Sequence, residues 1–177
     1  MKIKTDAIEC AKKIQLIIFD VDGVLTDGSI NISSSGELFK SFNCRDGLGI
    51  TIAHRVGLKL AIITGRKSEI VEIRARETGI DKAWQGNLNK RDAFEDAKKF
   101  FNVTEDQICY VGDDLIDLPI MTRIGLPAAV NDAVEDVRNI AKIVSEFDGG
   151  HGAAREIIEF ILKSQNRWQN IVDEYSR

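Results

Sequence analysis

The sequence predicts a three-layer α/β/α fold, a Rossmann-like parallel sheet with helices on both faces. Three observations predict it. Short apolar runs of strand length alternate with segments of helical spacing, the runs end at turn residues and acids, and only one hairpin-like stretch breaks the alternation over 177 residues. Right-handed crossovers are the common way to join such strands, which implies parallel order. With 44% hydrophobic and 29% charged residues the chain has the means for a sizeable core, and residues 1–177 read as one domain.

The first strand is Leu16–Phe19, which runs into Asp20-Val21-Asp22-Gly23. Residues 29–43 break the rhythm: Ser29 to Ile32, the turn Ser33-Ser34-Ser35-Gly36, and Glu37 to Phe42 form a hairpin pattern. Projecting from the sheet edge, it would cover the site or present Ile30, Ile32, Leu38 and Phe42 to another subunit. Residues 46–56 have helical character, 58–64 form an apolar strand, and 67–78 have helical spacing that Gly79 stops. A short strand at 81–84 precedes a helix at 90–101. Then come a strand at 107–111, a short helix at 115–124, and strands at 127–130 and 141–144. From 153 to 177, Ile157, Ile161, Trp168, Ile171, Val172 and Tyr175 fit a long amphipathic helix, or a helix and a docked tail that contacts a neighbouring subunit.

Composition excludes several classes. A net charge of -4 and a pI near 5.3 argue against a general nucleic-acid or anionic-membrane surface, so any phosphate site must be local. The longest apolar runs fall far short of the roughly 20 residues needed to span a bilayer, and the N-terminus has no signal-peptide h-region. Cys10, Cys44 and Cys109 are widely spaced and lack partners at ligand spacing; they read as buried thiols in a reducing cytoplasm. His54 and His151 are read as structural or exposed, not as metal ligands.

Four elements carry chemistry. Asp20 and Asp22 sit at a strand's carboxyl end, where α/β proteins keep their sites and where the repulsion between two acids must be offset by a cation or a shared proton. An EF-hand reading fails, because positions five, seven and twelve counted from Asp20 are Val24, Thr26 and Asn31. Thr64-Gly65-Arg66 ends the next strand with a hydroxyl and a glycine whose backbone can approach an anion. Lys90 opens a helix after Gln85-Gly86, where the macrodipole disfavours a cation unless an anion is near. Gly112-Asp113-Asp114-Leu115-Ile116-Asp117 crowds three acids at a strand end. All-oxygen donors favour a hard cation, and Mg²⁺ suits phosphate chemistry.

In this order, and at these positions, the four elements resemble the haloacid dehalogenase superfamily of phosphotransferases. They are similar to its uncapped subgroup, which includes 3-deoxy-D-manno-octulosonate 8-phosphate phosphatases. The resemblance implies Asp20 as nucleophile and Asp22 as the acid that protonates the leaving alcohol and then activates water. It implies Mg²⁺ held by Asp20, the Asp22 carbonyl and Asp113. Thr64, Lys90 and the amides near Gly23 and Gly65 would hold the phosphate oxygens, with Asp114 and Asp117 orienting metal waters or Lys90. Arg66 would face a substrate carboxylate, with Arg74, Arg76 and Arg155 as further candidates.

No cap domain fits between Asp22 and Thr64, so neighbouring subunits of an implied homotetramer would close the site through residues 29–43 and the C-terminal segment. The implied activity is hydrolysis of an eight-carbon sugar-acid phosphate for lipopolysaccharide synthesis. Its rivals are a nine-carbon sugar-acid phosphatase and a non-catalytic oligomerisation module.

Overall fold

In the computed structural model, which describes residues 1–86 and 88–177, the chain runs β1 (Lys2–Ile3), α1 (Ala7–Lys13), β2 (Leu16–Phe19), β3 (Asn31–Ser33), β4 (Gly36–Phe39), α2 (Cys44–Arg55) and β5 (Lys59–Ile63). It continues with α3 (Glu69–Thr78), β6 (Lys82–Trp84), α4 (Lys90–Phe101), β7 (Ile108–Gly112), α5 (Leu118–Met121), β8 (Leu126–Ala129), α6 (Glu135–Ile140), β9 (Ile143–Val144), α7 (Ala153–Ser164) and α8 (Trp168–Tyr175). Asn87, in the stretch before Lys90, lies outside the described residues.

Among the described residues seven strands form one sheet in the order β1-β9-β8-β7-β2-β5-β6, parallel except for β1, which runs antiparallel to β9. The steps from β2 to β5 to β6 move one way, and from β6 the chain returns across the sheet to β7 and continues to β8 and β9. With right-handed crossovers, that reversal puts α2 and α3 on one face and α4 to α6 on the other. α7 closes the first layer by packing on α1 and α2. The direction changes beside β2, so the carboxyl ends of β2 and β7 flank a crevice.

Both of these central strands are buried along their whole length. Leu16, Ile17, Ile18 and Phe19 are all fully buried, at roughly 1.5–3 kcal/mol per side chain removed from water. This explains the unbroken apolar run that signals a strand covered on both faces.

The expected elements are present with corrections. The 115–124 helix is broken into a 3-10 turn at Leu115–Asp117 and a single turn of α5, because the Asp117 side chain folds inward and Pro119 starts a new helix. The 153–175 segment is two helices, separated where Asn166 takes a positive φ of 56°. The hairpin pairs only over β3 and β4. β1, α1 and α6 were not anticipated: each is short, and β1 has too few residues to show any period. Cys109 is buried and Cys10 half-buried, but Cys44 is exposed in the first turn of α2, contrary to expectation.

Candidate active site

Register builds the site. Phe19 pairs with Ile62 on one side and Val111 on the other, so Asp20, Thr64 and Asp113 emerge at the same edge of the sheet. They line a cleft of about 290 Å³ with Asp22, Gly65, Arg66 and Asp114. A larger hollow of about 590 Å³ lies at the opposite edge, around Gln15 and Gln107 before β2 and β7, away from these acids.

The turn after β2 is tight: the Val21 carbonyl accepts from the amides of Val24, Leu25 and Thr26. Gly23 is required twice over, by its φ of 88° and because a Cβ there would lie 2.1 Å from Asp113 Oδ2. Gly149 supports the turn from outside, where a Cβ would lie 1.8 Å from the Gly23 carbonyl oxygen.

Below the cleft, the Lys90 side chain is fully buried. Its ammonium donates to Asp20 Oδ2 and Asp117 Oδ1, both at 2.7 Å, and to the Tyr110 hydroxyl at 3.2 Å. Three donors thus meet three acceptors. Burial alone would lower the Lys90 pKa, but the Asp20 and Asp117 carboxylates outweigh it and hold the group above the ordinary lysine value. Asp117 is saturated: Oδ1 accepts from Lys90 and Tyr110, Oδ2 from the amides of Asp113 and Asp114. Asp114 is exposed and accepts from its own neighbour's amide, Leu115 N at 2.6 Å, so of the two acids assigned to orientation only Asp117 touches Lys90.

For Asp20 and Asp113, Lys90 offsets only part of the cost of burial. Burial pushes the Asp20 carboxyl up to about 6, against the pull of Lys90 and with a further push from Asp117. Burial, then the Asp117 and Asp20 charges, push Asp113 up to about 8. Asp113 Oδ1 is, among the described residues, the buried side-chain oxygen without a hydrogen-bond partner. Oxygens of Asp20, Asp113 and Asp117 lie within 4.8 Å of one another. The set fits a hard divalent cation. Because Asp117 is already fully engaged, Asp20 and Asp113 are the available carboxylate donors.

A pH dependence follows from these shifts. With folded values of about 6 and 8 against an ordinary 3.8, the folded chain keeps protons that the unfolded chain has released. The associated stability is complete at acid pH and is lost as pH rises through those values. In chelator, the thermal midpoint is expected to fall by at least about 3 °C between about pH 5 and about pH 8, with added Mg²⁺ restoring it most at the upper end. A metal-free midpoint that climbs across that window would contradict the assignment.

Around Asp22 the sequence reading missed a residue. Lys40, at the base of the hairpin, forms an ion pair with Asp22 Oδ1, while Arg66 Nε lies 3.9 Å from Asp22 Oδ2. Nothing in the pattern marks Lys40 among 24 lysines and arginines; only proximity of the hairpin to the first acidic loop hinted at it. Arg74 is engaged with the Asn43 carbonyl, Glu77 and the Phe42 ring. Arg155 pairs with Glu159 and covers Trp168. Neither lines the cleft, nor does Arg76, leaving Arg66 as the arginine that does. Phe42 packs against the core beneath Arg74, whereas Ile30, Ile32 and Leu38 are exposed. His151 faces the Gly149 carbonyl, and His54 lies beside Asp81.

Known proteins resemble this chain in sequence and fold. The sequence profile described as haloacid dehalogenase-like hydrolase matches residues 63–157. The chain is 43% identical over 165 residues to the 3-deoxy-D-manno-octulosonate 8-phosphate phosphatase KdsC of Escherichia coli (strain K12), covering 93% of this chain and 88% of that one. It superposes on a probable yrbi family phosphatase from Pseudomonas syringae pv. phaseolica 1448a with a TM-score of 0.95 at 40% identity, over 98% of this chain and 99% of that chain. It also superposes on the 3-deoxy-D-manno-octulosonate 8-phosphate phosphatase from Moraxella catarrhalis, solved in complex with magnesium ion, phosphate ion and KDO. There the TM-score is 0.93 at 37% identity, over 96% of this chain and 98% of that chain.

Proposed function

The chain belongs to the haloacid dehalogenase-like hydrolases, and from that premise we propose that it is a Mg²⁺-dependent phosphatase hydrolysing 3-deoxy-D-manno-octulosonate 8-phosphate to the free sugar acid and phosphate. The observation that carries this reading is the acid cluster at the ends of β2 and β7, with one buried lysine below it and an unpartnered Asp113 oxygen facing it.

Asp20 attacks phosphorus as the ester bond to the sugar oxygen breaks, and Asp22 gives that oxygen its proton. The aspartyl-phosphate is then cleaved by water, whose proton returns to Asp22, restoring both acids. Both side chains line the same cleft, Asp20 directly after β2 and Asp22 in the tight turn that follows. Lys90 keeps Asp20 oriented and compensates part of the charge that builds up, while Thr64 and the backbone of Gly65 lie where phosphate oxygens are held. Asp20, Asp113 and the Asp22 carbonyl would hold Mg²⁺, which when bound would supply charge neutralisation for the approach of a phosphate dianion.

Arg66 is the specificity residue of this reading, a half-exposed guanidinium in the cleft able to pair with a substrate carboxylate. Phosphate release from phosphorylated sugar acids, assayed with Mg²⁺ and with chelator, tests the assignment. The eight-carbon substrate is expected to exceed a nine-carbon one by at least about tenfold in kcat/KM, about 1.4 kcal/mol of transition-state preference. A reversed order sinks the substrate assignment, and undiminished activity in chelator sinks the metal.

The chain acts as one domain in a homotetramer of the cytoplasm, within lipopolysaccharide precursor synthesis. Subunit closure of the site is supported by the hairpin's exposed apolar side chains, Ile32 at 66% and Leu38 at 60%. Among the described residues no helix is long and apolar enough to cross a membrane.

A further inference from the structure

The hairpin is tied to the cleft at two points. Lys40, just past β4, has a side chain only 3% exposed, and its ammonium bridges Asp22 and Glu37, the latter at 3.2 Å. Glu37, on β4, also accepts from the Ser68 hydroxyl. Ser68 is the N-cap of α3, two residues after Arg66 of the Thr64-Gly65-Arg66 loop. A buried ammonium persists only where carboxylates compensate it, so Lys40, Asp22 and Glu37 hold one another in a fixed arrangement. Asp22 lies beyond the last paired residue of β2 and is not anchored by the sheet ladder.

We propose that Lys40 is a positioning residue for Asp22, and that the seat of the hairpin, clipped by Glu37 to Ser68, sets where the proton-transferring carboxylate stands. The inference rests on the phosphatase reading above and extends it to a residue outside the four motifs. An acid must lie within hydrogen-bond reach of the oxygen it protonates, and a misplacement of about 1 Å costs on the order of 100-fold in rate. The cation that grips Asp22 therefore acts on the step in which the leaving oxygen needs a proton.

The test exploits that dependence. A sugar phosphate leaves as an alkoxide and needs the proton, whereas p-nitrophenyl phosphate leaves as a stabilised phenolate and does not. Lys40→Met is expected to lower kcat/KM for a sugar phosphate by more than about tenfold and for p-nitrophenyl phosphate by less than about threefold, with Lys40→Arg recovering most of the loss. Glu37→Gln, which loosens the clip while leaving Lys40 in place, gives a smaller loss of the same selectivity. Far-UV circular dichroism and thermal midpoints accompany each variant. Equal losses on both substrates, or no loss on either, overturn the proposal. The wild type's preference among sugar phosphates tests the substrate reading, while the Lys40 comparison uses whichever alkyl phosphate is turned over, so the two fail separately.

Discussion

Asp20→Asn abolishes turnover: phosphate release from every sugar phosphate that the wild type accepts falls by at least about 10⁴-fold in kcat. The carboxamide has nearly the same shape, so packing around the end of β2 is kept, but it carries no charge and does not attack phosphorus. Two opposing changes keep the fold close to its original stability. Lys90 loses one of its two carboxylate partners, and Asp113 and Asp117 lose a like-charged neighbour that raises the Asp113 value. A thermal midpoint close to the wild type alongside lost activity therefore locates the defect in the chemistry. Phosphate release left at the wild-type rate would remove Asp20 from the mechanism and the phosphatase assignment with it.

Lys90→Met has the larger effect on stability. Methionine fills much of the same volume, so what disappears is the cation between Asp20 and Asp117, two carboxylates 2.7 Å from it in a buried setting. Removing one partner of a buried ion pair costs about 3–5 kcal/mol, because the charge left behind has no water to return to. For a chain of this size that corresponds to a fall of roughly 10 °C in thermal midpoint. Activity falls by about 10³-fold as the nucleophile loses its orientation. Added Mg²⁺ recovers part of the stability through Asp20 and Asp113 but not the share owed to Asp117, which keeps only its hydrogen bonds from Tyr110 and the Asp113 and Asp114 amides and no cation. Calorimetry with and without Mg²⁺ measures both parts. A variant as stable as the wild type would show that Lys90 does not compensate these acids.

The strands were legible because a buried parallel strand is a continuous apolar run, and the run Leu16–Phe19 is buried on both faces. Helix α4 was legible to its ends, with Asn89 as N-cap and the apolar face of Ala93, Phe94, Ala97 and Phe101 turned to the core. The break in the 115–124 segment was not. Its apolar spacing reads as helix, but the four hydrogen bonds that Asp117 accepts draw that residue inward and shorten the turn. The antiparallel β1 escaped because two residues carry no period, and its direction depends on β9, more than 130 residues away.

Local order in the chain was enough to place acids at two strand ends, a hydroxyl with glycine at a third and a lysine at a helix start, and the family resemblance these motifs carry pointed to the reaction class. Composition, period and turn chemistry act over a few residues, and they are written in the sequence. Tertiary structure alone decided how the charges are matched. It placed Lys90 under Asp20 and Asp117, left one oxygen of Asp113 unpartnered, turned Asp114 to solvent, removed Arg74 and Arg155 from the cleft, and brought Lys40 to Asp22. The pairings of Lys40 with Asp22 and of Lys90 with Asp117 and Asp20 join residues 18 to 70 positions apart, where burial magnifies each charge, and no local pattern encodes that distance.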